Sequence, residues 1–181
     1  MSRVIDLLRH GETERGGGFR GSFDDALTAT GWTQMRAAVE GAGPWERIVS
    51  SPLQRCAAFS RELAERLALP LAFDEDLREL HFGDWEGRSA AELMETDADG
   101  LGAFWNDPYA FTPPNGEPLE AFEARVLAAR QRLLEDGDGP VLVVSHGGVI
   151  RLLLAQARGL PRQQLMSVEV PHASLQRIAL P

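Results

Sequence analysis

Apolar residues along the chain fall into short unbroken runs separated by stretches of helical spacing. Val4-Ile5-Asp6-Leu7-Leu8, Glu46-Arg47-Ile48-Val49-Ser50 and Val141-Leu142-Val143-Val144 have strand length, and Leu71-Ala72-Phe73 is a shorter run. Continuous runs of this kind, rather than alternating ones, fit strands of a sheet covered on both faces. Between them the period changes. Met35 and Val39 follow Thr30-Gly31 and are closed off by Gly41 and Gly43, while Leu53, Cys56, Ala57, Leu63, Ala64 and Leu67 share one helical face. Ser51-Pro52 reads as the N-cap and first residue of that second helix. Leu119, Phe122, Val126, Ala129 and Leu133 predict a long amphipathic helix stopped by Gly137 and Gly139, and a further helix is expected over 149–157. Two short strands are expected near 166–170 and 174–178.

Strands alternating with helices predict an α/β fold, with a mainly parallel central sheet and helices on both faces. Residues 14–21 hold Gly16, Gly17, Gly18 and Gly21 without periodicity, which predicts a mobile polar loop. The stretch at about 84–116 is acidic, aromatic and broken by prolines. Short helices near 90–96 and 100–105 are expected there, forming a small lid on a single domain that spans 1–181.

Composition narrows the chemistry. With 181 residues, 44% apolar and 25% charged, the chain reads as one ordinary soluble domain. No apolar run approaches the ~20 residues that span a bilayer. Met1-Ser2-Arg3 leads straight into a strand-like run with no signal-peptide layout, so a cytoplasmic location and no membrane partner are expected. A lone cysteine, Cys56, excludes an intrachain disulfide and a cysteine zinc cage, and its place on a helix face marks a small core residue. The net charge of −9 argues against nucleic acid as a partner. All 18 basic residues are arginine, which excludes Schiff-base chemistry and a Walker lysine. Any phosphate must be handled by arginine and histidine.

Those residues stand where three strand-like runs end. Arg9 and His10 leave the first run, Arg55 sits in the first turn of the helix after the second, and His146 leaves Val141–Val144, followed by Gly147, Gly148 and a helix. Ligands of open α/β sheets bind beyond the carboxyl ends of the strands. If these strands are parallel, both histidines and both arginines gather at one edge, beside helix N-termini that favour anions. Arginine presents a planar fork of donors to phosphate oxygens. A neutral imidazole can attack phosphorus through one nitrogen while the other is held by a hydrogen bond. The surrounding cations would stabilise the developing charge without a metal. No carboxylate–histidine cluster with ligand spacing is apparent, so neither a metal nor another cofactor is expected.

The blocks Leu8-Arg9-His10-Gly11-Glu12-Thr13, Ser50-Ser51-Pro52-Leu53-Gln54-Arg55, Leu77-Arg78-Glu79-Leu80-His81-Phe82-Gly83 and Ser145-His146-Gly147-Gly148 resemble, in order, those of the histidine phosphatase superfamily. That resemblance implies a phosphoglycerate-mutase-like fold and a phosphohistidine on His10. It implies a phosphate pocket of Arg9, Arg55 and His146 with Gly147, and a proton donor at Glu79. It also implies substrate contacts from Arg20-Gly21; Thr13 is expected to join them, and His81 is expected on the pocket wall. Asp74, Glu75, Asp76, Asp84 and Glu86 could equally supply a carboxyl group by position. A glutamate at its ordinary pKa of ~4.3 is a poor donor at neutral pH, and Leu77, Leu80 and Phe82 give Glu79 the most apolar company. The resemblance, not the spacing, selects it.

The substrate-side loops, Phe19-Arg20-Gly21-Ser22 and Gly83-Asp84-Trp85-Glu86-Gly87, resemble the alpha-ribazole phosphatase branch of cobalamin biosynthesis. The expected partner is a small phosphomonoester, and the sequence is compatible with a homodimer. The alternatives are a phosphoglycerate mutase, a broad-specificity phosphatase and a non-catalytic phosphate-binding or interaction domain. Gly16-Gly17 stands where mutases commonly carry an asparagine. His172 lacks the strand–histidine–glycine setting and is expected to lie outside the site. Trp85, Trp105 and Tyr109 are expected to pack in the lid.

Overall fold

The computed structural model describes residues 3–180; Met1, Ser2 and Pro181 lie outside the described residues. Five strands form one sheet: β1 (Arg3–Arg9), β2 (Arg47–Ser50), β3 (Leu71–Phe73), β4 (Val141–Ser145) and β5 (Leu175–Leu180). The helices are α1 (Ala29–Val39), α2 (Gln54–Leu67), α3 (Ala90–Thr96), α4 (Ala98–Asn106), α5 (Leu119–Glu135) and α6 (Gly147–Ala157). The strand order is β3-β2-β4-β1-β5, parallel throughout except for β5, which runs antiparallel to β1. β4 lies between β1 and β2, and its Val144 is level with both Leu8 and Ser50. The register therefore brings three carboxyl ends side by side, which is the condition the site requires.

Alternate residues of each strand feed two separate cores. Leu8, Ile48, Leu142 and Val144 pack with Met35 of α1 and Phe59 and Leu63 of α2. Ile5, Leu7, Val49, Val141 and Val143 pack on the other face with Phe122 and Val126 of α5 and Ile150 and Leu153 of α6. All five residues of β4 are buried. Each buried Val or Leu contributes roughly 1.5–3 kcal/mol of transfer free energy, which fixes the central strands firmly. Trp85, Leu93, Leu101 and Phe104, from the 84–116 segment, join this second core. Among the described residues no helix is long and apolar enough to cross a membrane.

Two expected elements differ. α2 begins at Gln54 with Leu53 as its N-cap residue, not at Ser51-Pro52; the Ser51 hydroxyl accepts the Leu53 N–H at 3.3 Å and also meets the His146 ring at 2.8 Å. Residues 162–167 form a 3-10 turn, and no strand forms at 166–170. The carbonyls of Val168 and Val170 are occupied by the guanidinium groups of Arg151, at 2.9 Å, and Arg9, at 2.6 Å. The loop serves arginines instead of a sheet.

Candidate active site

His10 is the first residue beyond β1. Its N–H donates to the Ser145 carbonyl at 3.1 Å, so the edge of β4 holds its backbone, and its side chain is 5% exposed. Nδ1 lies 2.8 Å from the Gly11 carbonyl. That contact selects the Nδ1–H tautomer and leaves the Nε2 lone pair free. Burial pushes the ring well below the ordinary histidine pKa, and Arg55, Arg9 and His172 add to the effect against the opposing pull of the Gly11 carbonyl. The imidazole is therefore neutral at neutral pH.

His146 follows β4 directly and occupies the N-cap position of α6. Its ring lies 5.3 Å from that of His10, edge-on at 63°. It is fully buried, and its Nε2 faces the Ser51 hydroxyl. Burial, then Arg55, His10 and Arg9, hold it well below its ordinary pKa. The Cys56 Sγ lies 3.7 Å from the same Nε2, and burial pushes this thiol up to about 12, so it is an inert core group.

Arg9 and Arg55 line a cavity of about 280 Å³ together with His10, Arg20, Glu79 and Arg151. Arg55 is 1% exposed; it donates to the Gly21 carbonyl at 2.9 Å and to the Phe23 carbonyl, and lies 3.6 Å from Asp25. The buried Nε atoms of Arg9 and Arg55 have no hydrogen-bond partner among the described residues. Guanidinium donors left unpaired in this way favour an anionic partner. Gly147 and Gly148 permit close approach: a Cβ at 147 would stand 3.2 Å from Arg9 Nε, and one at 148 would press on the Glu79 carboxylate.

The carboxylates near Glu79 separate by their partners. Glu79 lines the cavity and accepts the N–H groups of Gly148 and Leu80, each at 3.0 Å. Asp84 is exposed and paired with the Asn115 amide. Glu86 accepts three N–H groups, from Gly21 at 2.9 Å, Ser22 at 2.8 Å and Phe82 at 3.1 Å. Glu86 is thus a clamp. It stitches residues 19–22 to the 82–88 segment, helped by bonds between Phe19 and Arg88 and between Gly87 and Phe19. The loop expected to be mobile over 14–21 is anchored in its second half for this reason.

The remaining expected residues are placed as follows. Arg20 lines the cavity, and its guanidinium bonds the Thr13 hydroxyl and lies 3.5 Å from Asp25. Thr13 is buried behind it, 2% exposed, outside the cavity lining. Gly21 and His81 line a neighbouring depression with Arg78 and Arg125, which meets the His10 cavity at Glu79. His172 departs from expectation: its ring lies 5.7 Å from that of His10 and lines the same cavity. Spacing gave no sign of it, because the turn before β5 brings it there. Arg151, on α6, was equally hidden among ordinary helix arginines. Among the described residues no group of three or more histidine, cysteine or acidic side chains is placed to hold a metal ion. Beside Glu79, an apolar cleft of about 150 Å³ is lined by Phe19, Phe82, Phe104, Trp105, Leu165 and Met166.

The family described as "histidine phosphatase superfamily (branch 1)" matches residues 5–180. The chain is 40% identical over 157 residues to a bifunctional protein of Mycobacterium tuberculosis, covering 83% of this chain. It spans only 43% of that relative's length. It is 35% identical over 170 residues to the adenosylcobalamin/alpha-ribazole phosphatase of Escherichia coli, covering 91% of this chain and 83% of the other. Among solved structures, a mycobacterial glucosyl-3-phosphoglycerate phosphatase in complex with inorganic phosphate superimposes with a TM-score of 0.85 at 32% identity, covering 97% of this chain and 88% of that one.

Proposed function

Because the chain belongs to branch 1 of the histidine phosphatase superfamily, we propose that it hydrolyses phosphomonoesters through a phosphohistidine on His10. The observation that carries this reading is the neutral, buried imidazole with a free Nε2, in a cavity walled by Arg9, Arg55 and Arg20. In the first step Nε2 forms a bond to phosphorus, the ester P–O bond breaks, and Glu79 gives its proton to the leaving oxygen. In the second, the Glu79 carboxylate takes a proton from water, whose oxygen bonds to phosphorus as the P–N bond breaks. Orthophosphate leaves, and both groups return to their starting state. Arg9 and Arg55 neutralise the phosphoryl oxygens throughout, with the Nε atoms that otherwise lack a partner. His146, held by Ser51, lies outside the cavity lining and backs the His10 ring at 5.3 Å, and Gly147 leaves room for Arg9. Thr13 orients Arg20, and Gly21 supplies the carbonyl that holds Arg55.

The substrate we propose is alpha-ribazole 5′-phosphate. The apolar cleft beside Glu79 suits the benzimidazole of such a leaving group, and the segment 84–116, which contributes Phe104 and Trp105, would act as a lid over it. A second reading, a phosphorylated sugar acid, is favoured by Arg151, which lines both the cavity and the cleft and could take a carboxylate. The test is a rapid alkaline quench of turnover with phosphorus-labelled substrate. An acid-labile phosphate on His10, absent in His10→Ala, is expected, with full activity in excess chelator. Label on a serine, or none, overturns the mechanism.

A further inference from the structure

We propose that His172 donates a hydrogen bond to a non-bridging oxygen of the transferred phosphoryl group, as a contact additional to the arginines; this rests on the phosphoryl-transfer reading above. The segment that carries His172 clasps the reacting dipeptide. Val170 accepts the Arg9 guanidinium at 2.6 Å, Ser174 accepts the Arg9 N–H at 3.1 Å, and the Ala173 N–H donates to the His10 carbonyl at 3.1 Å. A turn closed by Ser174 N–H on the Pro171 carbonyl at 3.1 Å, with Ala173 at a φ of 56°, sets the direction of the chain between them. A left-handed alanine is an uncommon conformation, and here the Ala173 N–H bond to the His10 carbonyl helps hold it. The position of His172 is thus locked to that of His10.

The two rings open onto one cavity with centres 5.7 Å apart and planes inclined at 43°. A tetrahedral group bonded to His10 Nε2 would occupy this shared cavity, and the proposed contact places one of its oxygens at the ~2.7–3.2 Å reach of the His172 N–H. The other cations lining the cavity are arginines, a residue type that holds its charge at every working pH. His172 does not. The charged and titratable groups facing it are Arg9 and His10 at the end of β1 and Glu12 and Arg20 in the loop that follows. Partial burial, then Arg9 and Arg20, hold it below the ordinary histidine value, with Glu12 opposing. A dianion bound among these cations favours the imidazolium. The contact strengthens when the phosphoryl group is present.

The experiment uses sulfate, which stays dianionic across the range, and the whole chain. The chain has four histidines, so imidazole resonances are few, and His172→Asn identifies one by its loss. Sulfate is expected to raise the titration midpoint of that resonance. It should bind His172→Ala about tenfold or more weakly, while His172→Asn, which keeps an N–H donor, retains most of the affinity. kcat/KM for p-nitrophenyl phosphate and for an alkyl phosphate should fall by the same factor in His172→Ala. An unmoved midpoint with unchanged sulfate affinity overturns the proposal, as does a loss confined to one leaving group. A wild-type chain that turns over no phosphomonoester overturns the hydrolase reading instead, and the sulfate titration still decides the role of His172.

Discussion

The Glu79 carboxylate accepts the Gly148 N–H at 3.0 Å, and a methyl group on residue 148 would stand 3.2 Å from Glu79 Cδ, closer still to Oε1. The start of α6 therefore sets where the proposed proton donor sits. Gly148→Ala should displace the carboxylate while leaving the helix intact, since alanine is the better helix former by up to about 1 kcal/mol. Turnover of alkyl phosphates should fall by about 10²-fold, within the range that a general acid contributes, and p-nitrophenyl phosphate should lose far less. Glu79→Gln should reproduce that split. Equal losses for both leaving groups would place the proton donor elsewhere.

Arg125, on α5, holds the backbone of the segment that carries Glu79. Its guanidinium donates to the carbonyls of Asp76, Arg78 and Glu79, at 2.8, 2.7 and 3.0 Å, and pairs with Glu117 at 2.7 and 2.9 Å. Arg125→Met removes the donors and keeps the apolar stem. A loss of about 2–4 kcal/mol in urea-unfolding stability is expected, from several carbonyls stripped of a charged donor. kcat should fall more for alkyl than for nitrophenyl esters, with sulfate affinity kept. A pure stability loss with unchanged kcat would make Arg125 a scaffold residue only.

The parallel sheet and the gathering of Arg9, His10, Arg55 and His146 were legible because each follows an unbroken apolar run, and register does the rest. What escaped has a common cause. The bonds from the Ser51 hydroxyl to His146, from the Val170 carbonyl to Arg9 and from Glu86 to Gly21 span 95, 161 and 65 positions, which local spacing does not encode. His172 and Arg151 reach the cavity through the antiparallel return before β5 and the turn of α6. Sequence patterns mark the residues at strand ends; they are blind to the residues that close the cavity from the far side.

Buried neutral imidazoles make the fold acid-sensitive. His10 and His146 are both held well below 6.5, so as pH falls the unfolded chain takes up protons first. Stability supplied by the neutral form is complete above about pH 7 and declines below about 6.5, by up to about 1.4 kcal/mol per pH unit for each histidine. Urea midpoints should drop steadily from pH 7 to 5, a window above the carboxylate range. His10→Gln should reduce the slope by about a third to a half, because His172 is also held below its ordinary value. A midpoint that is flat, or that rises on acidification, would mean that these rings are charged in the folded protein.

Trp105 offers the cleanest separation of the two substrate readings. It lines the apolar cleft but is 50% exposed, so its truncation costs the core little. An aromatic base stacked against it gains roughly 0.5–1.5 kcal/mol beyond area burial, enough for about a threefold to tenfold change in kcat/KM. Trp105→Ala should therefore lower kcat/KM for alpha-ribazole 5′-phosphate by about that factor and leave glycerol phosphate untouched. Arg151→Met should do the converse, sparing the ribazole ester and weakening a phosphorylated sugar acid, because a buried carboxylate loses its planar partner. Arg20 provides the control. Its guanidinium lines the phosphate side of the cavity, tied to Thr13 and Asp25, so Arg20→Ala should depress every ester by a similar factor. If Trp105→Ala is silent toward the ribazole ester while Arg151→Met abolishes turnover of the sugar acid, the cleft holds an anionic leaving group and the ribazole assignment falls.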